Sequence, residues 1–591
     1  MLKPGDNRLN YSDLLTPPAG YEVEFAVGTT YSLDLEALVG VPLALSLSEE
    51  MNRTLKDDPV YVLEGLRRSA DKFAIFCEAG QVKVPRDANS IFAMMENSVF
   101  EVSLENDMSF HPKIWLIKYR NEEDELLYRL LVLTRNMTFD RSWDIAIALE
   151  GTMDSEKTSK NLPLADFLHF LTQCSTDELK TKQIKTLMDE LEFVHFNPVQ
   201  KQIPAFDFCP LGIGDYGKDD TGLFESYHKL IIISPFISES IVRELNEKSL
   251  SHPEKVLITR KTELHKLSPD VFNGFVVYTL KDSVIDGETA LSGETDEEAI
   301  AQLQDIHAKL YARSKYNEHH IYIGSANSSR NAFNGNVEFL LKLKYQKRGF
   351  RITNLLDDLF GDDEDDNPFE RIEEIPDEDE ADTNITDQLQ KAIKQLCRVE
   401  SEAYVTAEED QYSVKITFDS IPDDNIQFTI SPLLSTKSQP LQSITIFEQL
   451  SMLELGSFYT ITAEKDDEQV ERVIKINTSG IPEDRDGAIF RSIIDNSHKF
   501  LKYVAFLLAD DFLMAALENS ERQHSGFGNW EEDSGEDPVL YENMLTTAAR
   551  SPEKLKDVEN MIRIIRDEKI IPQEFDQLYQ TFIQAAKKVK K

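Results

Sequence analysis

At 591 residues, 41% of them hydrophobic and 29% charged, the chain is too long for one core and implies roughly two to four globular domains. A formal net charge of −43 excludes a generic nucleic-acid coat, because phosphate binding requires Lys and Arg. No apolar run approaches the roughly 18 residues of a membrane span, and four scattered cysteines (Cys77, Cys174, Cys209, Cys397) without a CxxC pair exclude a disulfide framework and a cysteine-rich zinc site.

The opening MLKPGDNRLNYSDLL lacks the apolar core of a signal peptide, so a cytoplasmic location with no membrane partner is expected. Two series of short apolar, β-like runs follow. The first is YEVEFAVGTTYS, FAIFCEAG (73–80), FHPKIWLIKY (110–119) and LLVLTRN (130–136); the second is KLIIISPFIS (229–238), KVLITRK (255–261), IHAKLYA (306–312) and HIYIGSAN (320–327). Runs of this kind separated by helical or loop stretches predict an α/β layer fold. Matching points lie at nearly constant offsets: 196 residues from His111 to His307, 191 from Asn136 to Asn327 and 194 from Asp144 to Glu338. This spacing predicts two copies of one unit, at 1–200 and 201–350.

Charge is uneven along the chain. Residues 306–351 carry nine Lys or Arg against two acids, whereas 357–382 carry 15 acids against one Arg. The acidic stretch reads as part of a solvated linker over 351–398. Alternating segments such as YSVKITFDS and SFYTITA predict a small β domain over 399–480. Helically spaced apolar residues predict a helical module over 481–591, broken by the polar loop at 520–537. From residue 401 onward 35 acids stand against 20 bases, which suits protein contacts better than nucleic acid.

In both copies an H-x-K triplet opens a β-like run, a polar turn follows, and a second run ends in Asn136 or Asn327, with Asp144 or Glu338 soon after. On a strand, side chains at i and i+2 share a face, so the triplet is expected to present an imidazole beside an ammonium. Two such hairpins would converge His111, Lys113 and Asn136 with His307, Lys309 and Asn327. Such a pocket suits a phosphodiester: one imidazole attacks phosphorus, the other protonates the leaving oxygen, and the lysines and amides hold the equatorial oxygens. Asp144 and Glu338 are placed to orient the imidazoles, with Ser325 and Thr134 beside them. His319 and His320 are expected in the exposed turn.

The segments IHAKLYA…GSANSSRNAFNGNVE and FHPKIWLIKY…LTRNMTFDRSWD together resemble the phospholipase D (HKD) superfamily over roughly residues 20–345. The acid that usually follows the HxK motif is replaced by Lys118 and Ser314, which is similar to the tyrosyl-DNA phosphodiesterase and nuclease branch. The resemblance implies two phospholipase D-like repeats packed as a pseudo-twofold pair. It also implies metal- and cofactor-independent phosphodiester cleavage through a phosphohistidine, with His111 as nucleophile and His307 as general acid and base. Nucleic acid is the expected substrate, and an antiviral defence or repair role with a helicase-like partner at the C-terminal region is a family-level association. A non-catalytic nucleic-acid-binding scaffold and a phospholipid hydrolase are the alternatives.

Overall fold

The computed structural model describes residues 14–46, 59–86, 88–106, 108–138, 143–198, 202–281, 306–346, 351–361, 367–376, 385–408, 411–422, 425–508, 544, 554–565, 570–572, 575 and 579–580. Two mixed sheets form its centre. The first contains β1 (Tyr21–Thr30), β2 (Phe73–Glu78), β3 (Val99–Val102), β4 (Ile114–Asn121), β5 (Leu126–Leu133), β6 (Ala146–Met153) and β7 (Val194–Pro198), in the order β3-β2-β1-β4-β5-β6-β7. The second contains β8 (Ala205–Leu211), β9 (Tyr227–Ile233), β10 (Ser249–Ile258), β11 (Val276–Leu280), β12 (Leu310–Lys315), β13 (Glu318–Gly324), β14 (Glu338–Tyr345) and β15 (Phe369–Ile372), in the order β8-β14-β13-β12-β9-β10-β11-β15. Apart from the extra edge strand β15, the two sheets share one scheme. Three parallel strands (β3, β2, β1; β11, β10, β9) are followed by an antiparallel hairpin (β4–β5; β12–β13), a third antiparallel strand (β6; β14) and an edge strand (β7; β8).

Period-2 alternation assigns each residue to one of two layers. Phe25, Val27, Ala74, Phe76, Ile114 and Leu116 of the first sheet share one core with Ile231, Ile233, Ala312, Ile321, Ile323 and Leu341 of the second. The intervening residues face outward: Ala26, Ile75, Trp115 and Ile117 pack with the helix Leu35–Ser46, and Leu230, Ile232, Tyr311 and Tyr322 pack with the helix Glu239–Glu247. Strands covered on both faces read as continuous apolar runs, which is why FAIFCE is buried at all six positions. Gly28 lies opposite Trp115, and a Cβ there would come within 2.5 Å of the indole, so the glycine makes room for the largest side chain of the layer.

The chain beyond 350 departs from expectation. The supposed linker contributes the helix Asn354–Phe360, with Leu355 and Leu359 buried, strand β15, which pairs with β11, and the helix Ile385–Leu396. Apolar residues spaced among the acids bury one side of each element while the carboxylates stay in water, a pattern that acid counting obscures. Residues 362–366 and 377–384 of that stretch lie outside the described residues, as does the polar loop at 520–537. Helix Ile385–Leu396 buries Leu389, Ala392, Ile393 and Leu396 in the core of the β region, whose strands lie between Ser401 and Ser479. That region is not self-contained. Its larger sheet is completed by Leu33–Asp34 and Val82–Lys83 of the first half, through a Val473–Val82 pair. Helices Arg485–Ile493, Ser497–Leu508 and Lys554–Ile565 form a further core that includes Leu63 of the first half. Among the described residues no helix is long and apolar enough to cross a membrane.

Candidate active site

Both H-x-K triplets stand just before their strands β4 and β12, not on them. Pro112 has no N–H to give to a ladder. The histidine N–H groups are used elsewhere: His111 donates to Val337 O at 2.9 Å and His307 to Trp143 O at 3.1 Å, next to parallel bridges Phe110–Val337 and Trp143–Ile306. Each triplet is thereby stitched to the segment carrying the other half's acid. The lysines are brought in by turning back on their own triplets, with Lys113 Nζ donating to His111 O (3.0 Å) and Lys309 Nζ to His307 O (2.6 Å). Lys309 Nζ also lies 3.4 Å from Thr134 O of the first half.

The acid positions are built alike. Ile145 N–H donates to Thr134 Oγ1 (2.9 Å), and Thr134 Oγ1 approaches Asp144 Oδ1 (3.3 Å). Phe339 N–H donates to Ser325 Oγ (2.9 Å), and Ser325 donates to Glu338 Oε2 (2.5 Å). Gly324, where the first half has Leu133, is required by close approach: a Cβ there would lie 2.1 Å from Phe339 O. Asn136 and Asn327 follow β5 and β13, and the Oδ1 atom of each is buried without a hydrogen-bond partner. His319 and His320, expected in a turn, are on β13 and half-buried; His319 Nδ1 meets Ser314 Oγ at 2.6 Å.

Across the seam, His111 Nδ1 and Glu338 Oε2 are 2.8 Å apart. Burial, with help from Lys113 and Lys309, pulls the imidazole down to about 4, against the pull of the carboxylate. His111 and Lys113, with Ser325, hold the Glu338 carboxylate below its usual range against its burial. The consistent state is neutral His111 donating Nδ1–H to an ionised Glu338, which leaves Nε2 as the lone pair. Lys113, 2% exposed, is pushed well below the ordinary lysine value by burial and by Lys309. Two buried ammonium groups that repel each other gain from a shared anion.

One consequence is measurable as stability. The unfolded His111 imidazole titrates near 6.5, so between about pH 6.5 and 4 the unfolded chain takes up a proton that the native site refuses. Native stability therefore falls as pH drops through that window, by up to about 3 kcal/mol from this group. In denaturant titrations at pH 7 and 4.5, H111Q should lose less stability than the wild type; equal losses would refute the assignment.

Several neighbours carry no sequence signal. The Tyr31 ring meets the His111 ring edge-on at 5.1 Å, and burial and the Glu78 carboxylate push its hydroxyl up to about 12. Glu78 accepts Phe110 N–H at 2.6 Å and pairs with Lys394 at 2.6 Å; Lys394 also donates to Met108 O and Ser109 Oγ. The residues leading into His111 are thus clamped by a helix almost 300 positions later, which no local pattern could reveal. Among the described residues no cluster of His, Cys, Asp and Glu is arranged to hold a metal ion.

No family model matches the chain, and no curated protein matches it. Among solved structures it is similar to yeast tyrosyl-DNA phosphodiesterase, at 12% identity and a TM-score of 0.34, over 57% of this chain and 85% of that one. It is also similar to a polyphosphate kinase from Porphyromonas gingivalis, at 12% identity and a TM-score of 0.31, over 58% of this chain and 45% of that one.

Proposed function

We propose that the protein is a metal-independent phosphodiesterase of phospholipase D type acting on nucleic acid, with one site built from two pseudo-twofold copies of a single unit. The observation that carries this reading is the pair formed across the seam by His111 and Glu338, set beside two buried lysines. Glu338 fixes the tautomer of His111 and leaves Nε2 to attack phosphorus. As the N–P bond forms, the bond to the leaving oxygen breaks, and His307 gives that oxygen its proton. His307 then takes a proton from water, the water oxygen attacks phosphorus, and the N–P bond breaks to restore His111. Lys113, Lys309, Asn136 and Asn327 hold the equatorial oxygens while negative charge develops. For Asn136 and Asn327 the donors to those oxygens are the Nδ2–H groups, since the amide Oδ1 can only accept.

The test is incubation of the full chain with labelled single-stranded DNA, RNA and phosphatidylcholine, with and without EDTA. The reading predicts cleavage of nucleic acid at an unchanged rate in EDTA. Cleavage that requires added Mg²⁺, or of the phospholipid alone, would contradict it, and retention of uncut DNA would favour a scaffold.

A further inference from the structure

The two flanks of the site differ. After β1, the loop at 30–34 is tied to the residue following Asn136: Thr30 Oγ1 accepts Met137 N–H (3.0 Å) and Asp34 N–H donates to Met137 O (2.9 Å). After β9, the loop at 234–238 is tied in the same way to the residue following Asn327: Ser234 Oγ accepts Ser328 N–H (2.8 Å) and Ser238 N–H donates to Ser328 O (2.9 Å). Aligning these bonds sets Ser32 against Phe236. On the His111 flank, Leu33–Asp34 pairs with Val82–Lys83, and Val82 pairs with Val473 of the β region, so that loop is walled by the later part of the chain. On the His307 flank, Phe236 is 44% exposed.

Phe236 is also held in place. Its carbonyl accepts Ser234 Oγ–H at 2.7 Å, and Ile237 N–H donates to the buried carboxylate of Glu263 at 2.9 Å. The Arg260 guanidinium sits over the ring, 4.5 Å from its centroid, and donates to Ile306 O at 3.3 Å, one residue before His307. An exposed aromatic ring on a fixed loop, backed by a cation and bonded on both sides to site-bearing segments, is a stacking platform. Holding the ring in advance lowers the ordering cost of a ligand. A lipid chain would want a continuous apolar channel, whereas one ring over a guanidinium suits a flat π-system that also carries phosphate.

Resting on the phosphodiesterase reading, we infer that Phe236 and Arg260 form a subsite for one unpaired nucleobase beside the scissile phosphate, so that the strand is single-stranded there and lies on the His307 flank. A base inside a duplex is stacked on both faces and is not available to such a platform.

The test uses single-stranded oligonucleotides with 2-aminopurine at successive positions, held uncut by the H111A protein. One position should be quenched on binding, and removing its base should weaken affinity about tenfold. Adding F236A should abolish both the quenching and the affinity difference, and F236W should restore them. Quenching at no position, or an affinity difference that survives F236A, would overturn the inference. Binding to phosphatidylcholine vesicles that depends on Phe236 would also overturn it, in favour of a lipid. Cleavage by the wild-type chain is scored separately, so a failure of the catalytic reading is distinguishable from a failure of the stacking one.

Discussion

H307A and H111A should both lose steady-state turnover by about 10³-fold or more, yet fail in different ways. With H307A, an ester of p-nitrophenol should still release one equivalent of product in a burst, because that leaving group departs without a proton. Hydrolysis of the adduct then stalls for want of a base to activate water. With H111A no burst should occur, whatever the leaving group. The asymmetry belongs to the proposed mechanism, in which Glu338 Oε2, 2.8 Å from Nδ1, accepts Nδ1–H of a neutral His111 and leaves the Nε2 lone pair as the nucleophile. Stopped-flow release of p-nitrophenol measures it. A burst in H111A and none in H307A would exchange the two roles.

E338Q should cost about 10²- to 10⁴-fold in turnover with little change in KM, because an amide has no fixed acceptor for Nδ1–H and lets the imidazole take the wrong tautomer. The position has three partners. Oε2 receives His111 and Ser325, and Oε1 lies 3.4 Å from Asn336 Nδ2. An isosteric amide leaves the shape unchanged, so the variant should unfold cooperatively with a stability near that of the wild type. E338A would leave buried donors unmet and is expected to lose stability as well. Circular dichroism with a kcat and KM determination separates the two effects. A rate within a few-fold of wild type for E338Q would remove Glu338 from its orienting role.

Much of this site was legible because local chemistry repeats. H-x-K, the run ending in Asn and the acid that follows recur at nearly constant offset, so His111, Lys113, Asn136, Asp144 and their counterparts could be named from sequence. Their backbone setting could not. The triplets look like strand residues, but bonds across the seam to Val337 and Trp143 hold them out of the ladders. Tyr31, Lys394 and Phe236 were illegible for a related reason: each is placed by a contact with a residue tens to hundreds of positions away, His111, Glu78 and Arg260 respectively. The acidic stretch misled in the opposite direction. Its composition reads as solvated chain, while Phe369, Leu355 and Leu359 bury enough surface to order a strand and a helix around the carboxylates.

The proposed mechanism turns on the passage of a covalent phosphoryl group through His111. It is tested most directly by mixing H307A with a p-nitrophenyl phosphodiester, quenching in base, where phosphohistidine survives, and mapping peptides by mass. One equivalent of adduct should appear on the peptide containing His111, and none in H111A. A burst without adduct, or adduct on any residue other than His111, would contradict the mechanism.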